Sequence, residues 1–140
     1  MGTSSITGCC SRVIDGDTID IKPDGESWPF WTCRIRLLGV DCPERDQPFG
    51  DTATDFTREF CGDQLLTAIV ESKDRYGRHL AWIKIGDKDL IHELLRAGLA
   101  WHFKKYSDDA ELAALENKAR DGRVGIWSAE DAVAPWDWRD

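Results

Sequence analysis

The segment WTCRIRLLGVDCPER, residues 31–45, is the strongest indication of the fold that we predict for this chain. Apolar side chains occupy every second position of its first half, and polar side chains such as Arg36 alternate with them. Alternation with a period of two is typical of a β-strand that buries one face. Leu38-Gly39-Val40 closes the strand, and the acids Asp41 and Glu44 follow directly. The sequence therefore predicts a half-buried strand with two carboxylates just beyond its end.

Four other segments are predicted as strands, and three as helices. A capping box at 52–55 predicts the start of the first helix, and glycines beyond the helical segments predict their ends. Five short strands with helices inserted late predict a mainly β fold with helices (α+β), a five-stranded OB-fold Greek-key barrel with three α-helices. The strands cover 18–22, 31–40, 64–72, 80–85 and 99–103, and the helices run from Thr52 to Gly62, from Asp89 to Gly98 and from Asp108 to Gly122.

Length and composition favour one globular domain of ordinary size. The chain has 140 residues, of which 41% are hydrophobic and 31% charged. No apolar run approaches the ~20 residues that cross a bilayer, and the small, polar start of the chain lacks the apolar stretch of a signal peptide. We expect a single domain over 1–140, with its core at about 11–128 and with residues 1–10 and 129–140 peripheral to the core.

Five cysteines are many for a cytosolic protein of this size and leave the redox state open. They permit up to two disulfides, and an odd count leaves at least one thiol unpaired. Their spacing resembles no zinc pattern. Buried free thiols, which pack like small hydrophobes, are the alternative to disulfides. The cysteines are Cys9, Cys10, Cys33, Cys42 and Cys61.

The net charge of −8 argues against a broad nucleic-acid-binding surface, since such surfaces neutralise phosphates with Lys and Arg. That argument concerns the average charge only. A few arginines grip a single phosphate inside an acidic protein, and a bound divalent cation reverses the local sign. We therefore expect weak, salt-sensitive binding of any nucleic acid.

Three clusters combine acids with arginines. In VIDGDT, residues 13–18, the two aspartates around a glycine are explained by a turn, or by a carboxylate that binds Ca²⁺ or Mg²⁺ as a hard oxygen ligand. In residues 34–45, Pro43 rigidifies a loop that carries two acids near an arginine. In DRYGRH, residues 74–79, a polar hairpin turn is the ordinary explanation, and a phosphate-binding Arg78 is the functional one.

Taken together and in this order, these clusters closely resemble the staphylococcal nuclease (thermonuclease-like) family. The resemblance runs from about Ser11 to Ser128 and implies an OB-type barrel with a Ca²⁺-dependent nuclease site. Each motif is weak alone, and six in register are specific. They are VIDGDT (13–18), RLLGVDCPE (36–44), FG (49–50), DRYGR (74–78), LLRAGLA (94–100) and GIWS (125–128).

The resemblance also implies the metal ligands and the catalytic groups. Asp17, Asp41 and the backbone carbonyl of Cys42 correspond to the calcium ligands, and Cys42 replaces the threonine of most relatives without removing that carbonyl. An oxygen-only site with few charged ligands predicts weak calcium binding. Glu44 corresponds to the carboxylate that orients or deprotonates water. The phosphate-binding arginines correspond to Arg36 and Arg78.

Contacts to the substrate are predicted less sharply. Tyr106 corresponds to a ring that flanks the base, and stacking of this kind tolerates any base. Lys104 stands where the best-known member has a second tyrosine, so its grip on substrate would rest on charge, and a solvated strand end is the alternative. Arg75 and Tyr76 are further candidate contacts. Trp136 is expected to fold back on the barrel or to be loosely ordered.

The resemblance predicts a calcium-dependent nuclease that hydrolyses DNA and RNA. A non-catalytic nucleic-acid-binding domain is the main alternative, and a barrel that binds an oligosaccharide or a protein is a third. We expect a monomer that acts on nucleic acid away from membranes. The habit of the family suggests a secreted or periplasmic protein, although the chain itself shows no signal peptide.

Overall fold

Five strands of the chain close into a barrel, and the helices pack outside it. The computed structural model describes residues 4–24 and 32–139, so Trp31, the first residue of the strand predicted over 31–40, lies outside the described residues. No helix in this described part of the chain has both the length and the apolar character needed to cross a membrane. The strands are β1 (Ser4–Asp15), β2 (Thr18–Pro23), β3 (Cys33–Leu37), β4 (Val40–Asp41), β5 (Leu65–Lys73), β6 (His79–Ile85), β7 (Lys88–Asp89) and β8 (Trp101–His102), and the helices are α1 (Gly50–Cys61), α2 (Leu90–Arg96), α3 (Ala110–Asp121) and α4 (Pro135–Trp138).

The barrel closes where β3 meets β6. The strand order is β3-β2-β1-β5-β6, and β3 pairs in parallel with β6 through Ile35 opposite His79 and Leu37 opposite Ala81. The other neighbours in this ring are antiparallel. Because the ring is closed, each of the five strands pairs with a neighbour on both sides for at least part of its length. The five-stranded, OB-like barrel with helices that the sequence predicts is therefore confirmed.

The fifth barrel strand is β1; the strand predicted over 99–103 is present only as Trp101–His102 and lies outside the barrel. Residues 8–15 of β1 pair with β2, and residues 4–9 pair with β5. Only Trp101 and His102 of the predicted segment pair, and they pair with β4 outside the barrel. In the segment SSITGCC at 4–10 only Ile6, Gly8 and Cys10 are buried in whole or in part, and the glycine among them weakens the apolar alternation. Its place in the barrel, rather than at the periphery, depends on the strands on either side.

The start of α1 also differs from the prediction. The helix begins at Gly50, before the capping box expected at 52–55, and no side chain caps it. A Cβ at Gly50 would lie 1.9 Å from the carbonyl oxygen of Glu44, so only glycine permits the helix to approach that loop. Thr54 lies within the helix and donates its hydroxyl to the Gly50 carbonyl at 3.1 Å. A tertiary contact therefore sets this helix end.

The other helix starts follow the expected chemistry more closely. Asp89 caps α2 by accepting hydrogen bonds from the amides of Ile91 and His92. Asp109, one residue beyond the predicted position, caps α3 by accepting from Glu111 and Leu112. In both helices a carboxylate satisfies amides that have no partner within the helix.

The core lies inside the barrel and between the barrel and α2. Ile19, Ile21 and Ile35 fill the interior, each at most 1% exposed. Four residues of α2, Leu90, Ile91, Leu94 and Leu95, are fully buried against them. Burial of each such side chain contributes about 1.5–3 kcal/mol, so this small core is enough to hold the rim of the barrel in place.

Residues 129–139 pack onto the barrel and are not peripheral to it. The ring of Trp136 stacks on Phe103 with centroids 4.6 Å apart and also meets the edge of Trp101. Trp138 donates its indole N–H to Asp46 Oδ1 at 3.1 Å. Of the two alternatives for Trp136, the structure shows the folded-back one, and α4 is a fourth helix that the sequence does not predict.

We predict that Gly8→Ala destabilises the fold because β1 and β2 approach closely at this point. An added Cβ would lie 2.2 Å from the carbonyl oxygen of Lys22, which is backbone and cannot turn aside. The expected loss is about 2–4 kcal/mol in the free energy of unfolding, measured by urea denaturation. The control is Ser5→Ala in the exposed part of the same strand, which should change it by less than about 0.5 kcal/mol. Equal changes in the free energy of unfolding for the two variants would contradict a close approach of β1 to β2 at Gly8.

Candidate active site

Asp17 links the turn between β1 and β2 to the segment after β3. Its carboxylate accepts a hydrogen bond from the Cys42 amide at 2.8 Å and one from the Thr18 hydroxyl at 3.0 Å. The side chain of Asp17 is almost fully buried. Gly16 permits this approach, because a Cβ there would lie 2.9 Å from Cys42 Sγ and 2.9 Å from Ala53 Cβ. The two halves of the predicted metal site therefore meet in the fold.

Arg36 joins the two aspartates predicted as metal ligands. Its Nη2 atom donates to Asp41 Oδ1 at 3.1 Å and lies 3.6 Å from Asp17 Oδ2. Its Nη1 atom donates to the carbonyl oxygens of Leu37 at 2.9 Å and Val40 at 2.8 Å. With only 13% of its side chain exposed, the guanidinium holds the end of β3, β4 and both acids in one arrangement.

The site holds more carboxylates than guanidinium groups. Burial and the neighbouring charge of Asp17 raise the pKa of Asp15 to about 7. Burial also raises the pKa of Asp41 to about 6, although Arg139 acts in the opposite direction. For Asp17, Arg36 and the hydrogen bonds outweigh burial and hold its pKa below the usual value. Burial is the main cause of both raised pKa values, and the charge of Asp17 adds to it.

These residues fit a hard divalent cation. Asp17 and Asp41 face the same guanidinium nitrogen, and their oxygens are the ligand type that Ca²⁺ and Mg²⁺ prefer. Cys42 is buried, and its amide donates to Asp17 Oδ2. Asp15 adds a third carboxylate that the sequence did not single out, although it stands in the first motif. Within the described residues, no three His, Cys, Asp or Glu side chains already converge as a recognisable metal-binding group.

Glu44 lies at the edge of this acidic cluster on a tightly held loop. Its amide donates to Gln47 Oε1 at 2.9 Å, and the Gln47 amide donates back to the Glu44 carbonyl at 2.9 Å. Its carboxylate pairs with Arg139, which also donates to Asp41 Oδ2 at 2.8 Å. The sequence offers no signal for Arg139, since no motif or periodicity relates residues 95 positions or more apart.

Arg36 and Arg78 line one cavity of about 540 Å³ beside the barrel rim. Arg75, Tyr76 and Tyr106 line it too, and both tyrosines are more than 70% exposed at its mouth. Exposed aromatic rings beside arginines form a surface suited to a nucleotide. The rings can stack on the base, and the planar guanidinium groups can donate two hydrogen bonds to the phosphate. Four of the predicted catalytic and substrate-binding residues thus share a cavity with Arg36.

The turn that carries Arg78 is organised by Asp74. One carboxylate oxygen of Asp74 accepts from the amides of Tyr76 at 2.9 Å and Arg78 at 3.0 Å. The other accepts from Arg78 Nε at 2.6 Å, and these bonds hold the pKa of Asp74 below its usual value despite some desolvation. Gly77 supplies the positive φ of +84° that the turn needs. Asp74 therefore orients the guanidinium of Arg78 beside the cavity.

Lys104 is not among the residues that line the cavity. Its Nζ atom donates to Glu116 Oε1 at 2.7 Å, and Glu116 is fully buried in α3. The other oxygen of Glu116 accepts from the His102 amide at 2.6 Å. Lys104 therefore neutralises a buried carboxylate that ties α3 to β8, a role that no sequence pattern indicates.

Comparison with known proteins finds a family match over more than half of the chain. Residues 34–129 match the family described as staphylococcal nuclease homologue. An uncharacterised endonuclease of Escherichia coli O157:H7 is 36% identical over 137 residues, which cover 97% of this chain and 86% of that protein. A micrococcal nuclease of Shigella flexneri is 32% identical over 91% of this chain and 77% of its own length. A staphylococcal-like nuclease of Arabidopsis thaliana is 42% identical over 76% of this chain but only 33% of that protein.

We predict that Lys104→Ala lowers the stability of the protein because it leaves the Glu116 carboxylate less compensated. Since the lysine itself is largely exposed, the expected loss is about 0.5–2 kcal/mol in the free energy of unfolding by urea. Lys105→Ala is the matched control and should cost less than about 0.5 kcal/mol. An unchanged stability in Lys104→Ala would contradict a structural role for this lysine.

Proposed function

Because the chain belongs to the staphylococcal nuclease homologue family, we propose that it is a calcium-dependent nuclease that hydrolyses phosphodiester bonds of DNA and RNA. Relatives named as endonuclease and micrococcal nuclease along most of the chain support the nuclease activity. The observation that carries the proposal is the position of Arg36. Its guanidinium contacts Asp41 and lies beside Asp17 while it lines the cavity that Arg78 also lines.

The cavity provides the grip on the substrate. Arg36 and Arg78 offer planar donor forks that match the oxygens of a phosphodiester. The exposed rings of Tyr76 and Tyr106 stand at the mouth, where stacking on a base requires no particular sequence. Arg75 adds a positive charge to the same wall. We infer from this combination that the site takes a single nucleotide unit with little base preference.

Asp17, Asp41 and the carbonyl of Cys42 are the residues that would hold the calcium ion. When bound, such an ion polarises a phosphate oxygen and stabilises the charge that develops in the transition state. Asp17 is held for this task by Cys42 and Thr18, and Asp41 by Arg36. Hydrogen bonds to both carboxylates reduce the reorganisation that binding requires.

Glu44 is the proposed base or orienting group for the attacking water. Water adds to phosphorus, its proton passes toward the Glu44 carboxylate, and the bond from phosphorus to the departing sugar oxygen breaks. The sugar oxygen takes a proton from solvent and leaves as a hydroxyl. Arg36 and Arg78 donate to the phosphate oxygens, on which negative charge accumulates as the fifth bond to phosphorus forms. The rigid loop from Glu44 to Gln47 limits the motion of the carboxylate during this step.

A domain that binds nucleic acid without cutting it is the main alternative, and the charge of the site argues against it. Asp17 and Asp41 are paired with Arg36, which lines the cavity that would receive phosphate. Glu44 is joined to Asp41 through Arg139. Carboxylates repel phosphate and are costly to bury, so a binding domain gains nothing from them. Metal binding and water activation are tasks that need them.

We predict that wild-type protein cuts single-stranded DNA with calcium and not with a chelator, and that Glu44→Gln lowers kcat by about 10²–10⁴-fold. The amide keeps the size of the side chain but cannot accept the proton of the water. The measurement is the rate of product formation at saturating substrate. Glu59→Gln, on the exposed surface of α1, is the matched control and should retain full activity.

Two results would contradict this proposal. If wild type shows no calcium-dependent cleavage above a Glu44→Gln, Arg36→Ala double variant, the protein is not this kind of enzyme. Tight binding of single-stranded DNA without cleavage would favour the binding domain instead. A rise in melting temperature with calcium that a nucleoside bisphosphate increases further would argue against the third alternative, a barrel for oligosaccharide or protein.

A further inference from the structure

The segment 129–139 ends on the acids of the proposed active site. Arg139 Nη2 donates to Asp41 Oδ2 at 2.8 Å, and Nη1 lies 3.5 Å from Asp41 Oδ1 and pairs with Glu44 Oε1. Its guanidinium thus bridges one predicted metal ligand and the predicted water-activating group. These contacts, with the hydrogen bonds to Asp41 first among them, raise the pKa of Arg139, so its charge is permanent.

Anchors other than Arg139 hold the segment in place. Gln47 Nε2 donates to the carbonyl of Val133 at 2.5 Å, and Trp138 donates to Asp46 at 3.1 Å. The Trp136 ring stacks on Phe103, which also lines the arginine cavity. Because these contacts position α4, the guanidinium is presented to the acids at low entropic cost.

We propose that Arg139 is an internal counter-ion that competes with the divalent cation for Asp41 and Glu44. The proposal rests on the calcium site of the proposed function. Both Asp41 oxygens are engaged, Oδ1 by Arg36 and Oδ2 by Arg139, so a cation that binds Asp41 meets a fixed positive charge. Two positive charges within a few ångströms repel each other strongly where water is partly excluded.

Arg139, and not Arg36, is the arginine that the cation displaces in this competition. Arg36 is 13% exposed and donates to two backbone carbonyls, whereas the side chain of Arg139 is 44% exposed and donates to carboxylates only. Release of Arg139 into water therefore costs little. Cation binding frees Glu44 for water at the same time, and the segment that carries Arg139 loses one of its anchors.

The test measures calcium affinity rather than activity. Isothermal titration with calcium alone compares wild type with Arg139→Gln, and with Arg58→Gln as the charge-matched control on the exposed face of α1. We expect Arg139→Gln to bind calcium about two- to tenfold more tightly, since a half-exposed ion pair is worth a few-fold in affinity. The control should stay within twofold of wild type. Hydrogen exchange of 132–139 in wild type should rise when calcium is added.

The outcomes separate this inference from the proposed function. Calcium-dependent cleavage by wild type together with unchanged or weaker calcium binding by Arg139→Gln overturns the competition and leaves the enzyme in place. Binding by the variant and not by wild type supports the competition. If neither binds calcium, both the competition and the calcium site are wrong. Unchanged or lower exchange of 132–139 with calcium would show, without any variant, that the segment is not released.

Discussion

The buried guanidinium of Arg36 is the group on which the candidate site depends. It gathers the end of β3, the carbonyl of Val40 and the carboxylates of Asp17 and Asp41 around one planar charge. Removal of such a group leaves buried acids without compensation, which typically costs 3–5 kcal/mol, so fold and site are coupled at this point. The same group lines the cavity proposed for the phosphate. A single side chain thus serves the acids on one side and the substrate on the other.

The closure of the barrel decides which charges meet. In the parallel pairing of β3 with β6, Arg36 stands opposite Leu80, two residues after Arg78. Both arginines therefore reach the same rim, although 41 residues separate them in the chain. The antiparallel pairing of β1 with β2 brings Asp17 to this rim as well. An open sheet with the same strands would keep Asp17 near Arg36, because Thr18 pairs with Arg36 between β2 and β3, but it would leave Arg78 apart from both.

Charge balance explains the other features of the rim. Burial, and to a smaller extent the charge of Asp17, raises the pKa values of Asp15 and Asp41, while Arg36 acts against the rise at both acids and Arg139 at Asp41. The balance is incomplete, which suits a site that takes up a cation. Elsewhere the protein compensates a buried acid fully, since Glu116 receives Lys104, a backbone amide and the more distant Arg120. The difference between a structural and a functional acid is visible in this contrast.

The features that depend on neighbouring residues could be predicted from the sequence alone. Alternation predicted β3, β2 and most of β5 and β6, a carboxylate before an apolar stripe predicted α2, and the motifs placed Asp17, Arg36, Asp41 and Arg78. Four other features depend on tertiary contacts. They are the strand β1, the start of α1 at Gly50, the partner of Lys104 and the contact of Arg139 with Asp41 and Glu44. Each of these depends on a contact between segments that pack together only in the folded protein, so local periodicity does not indicate it.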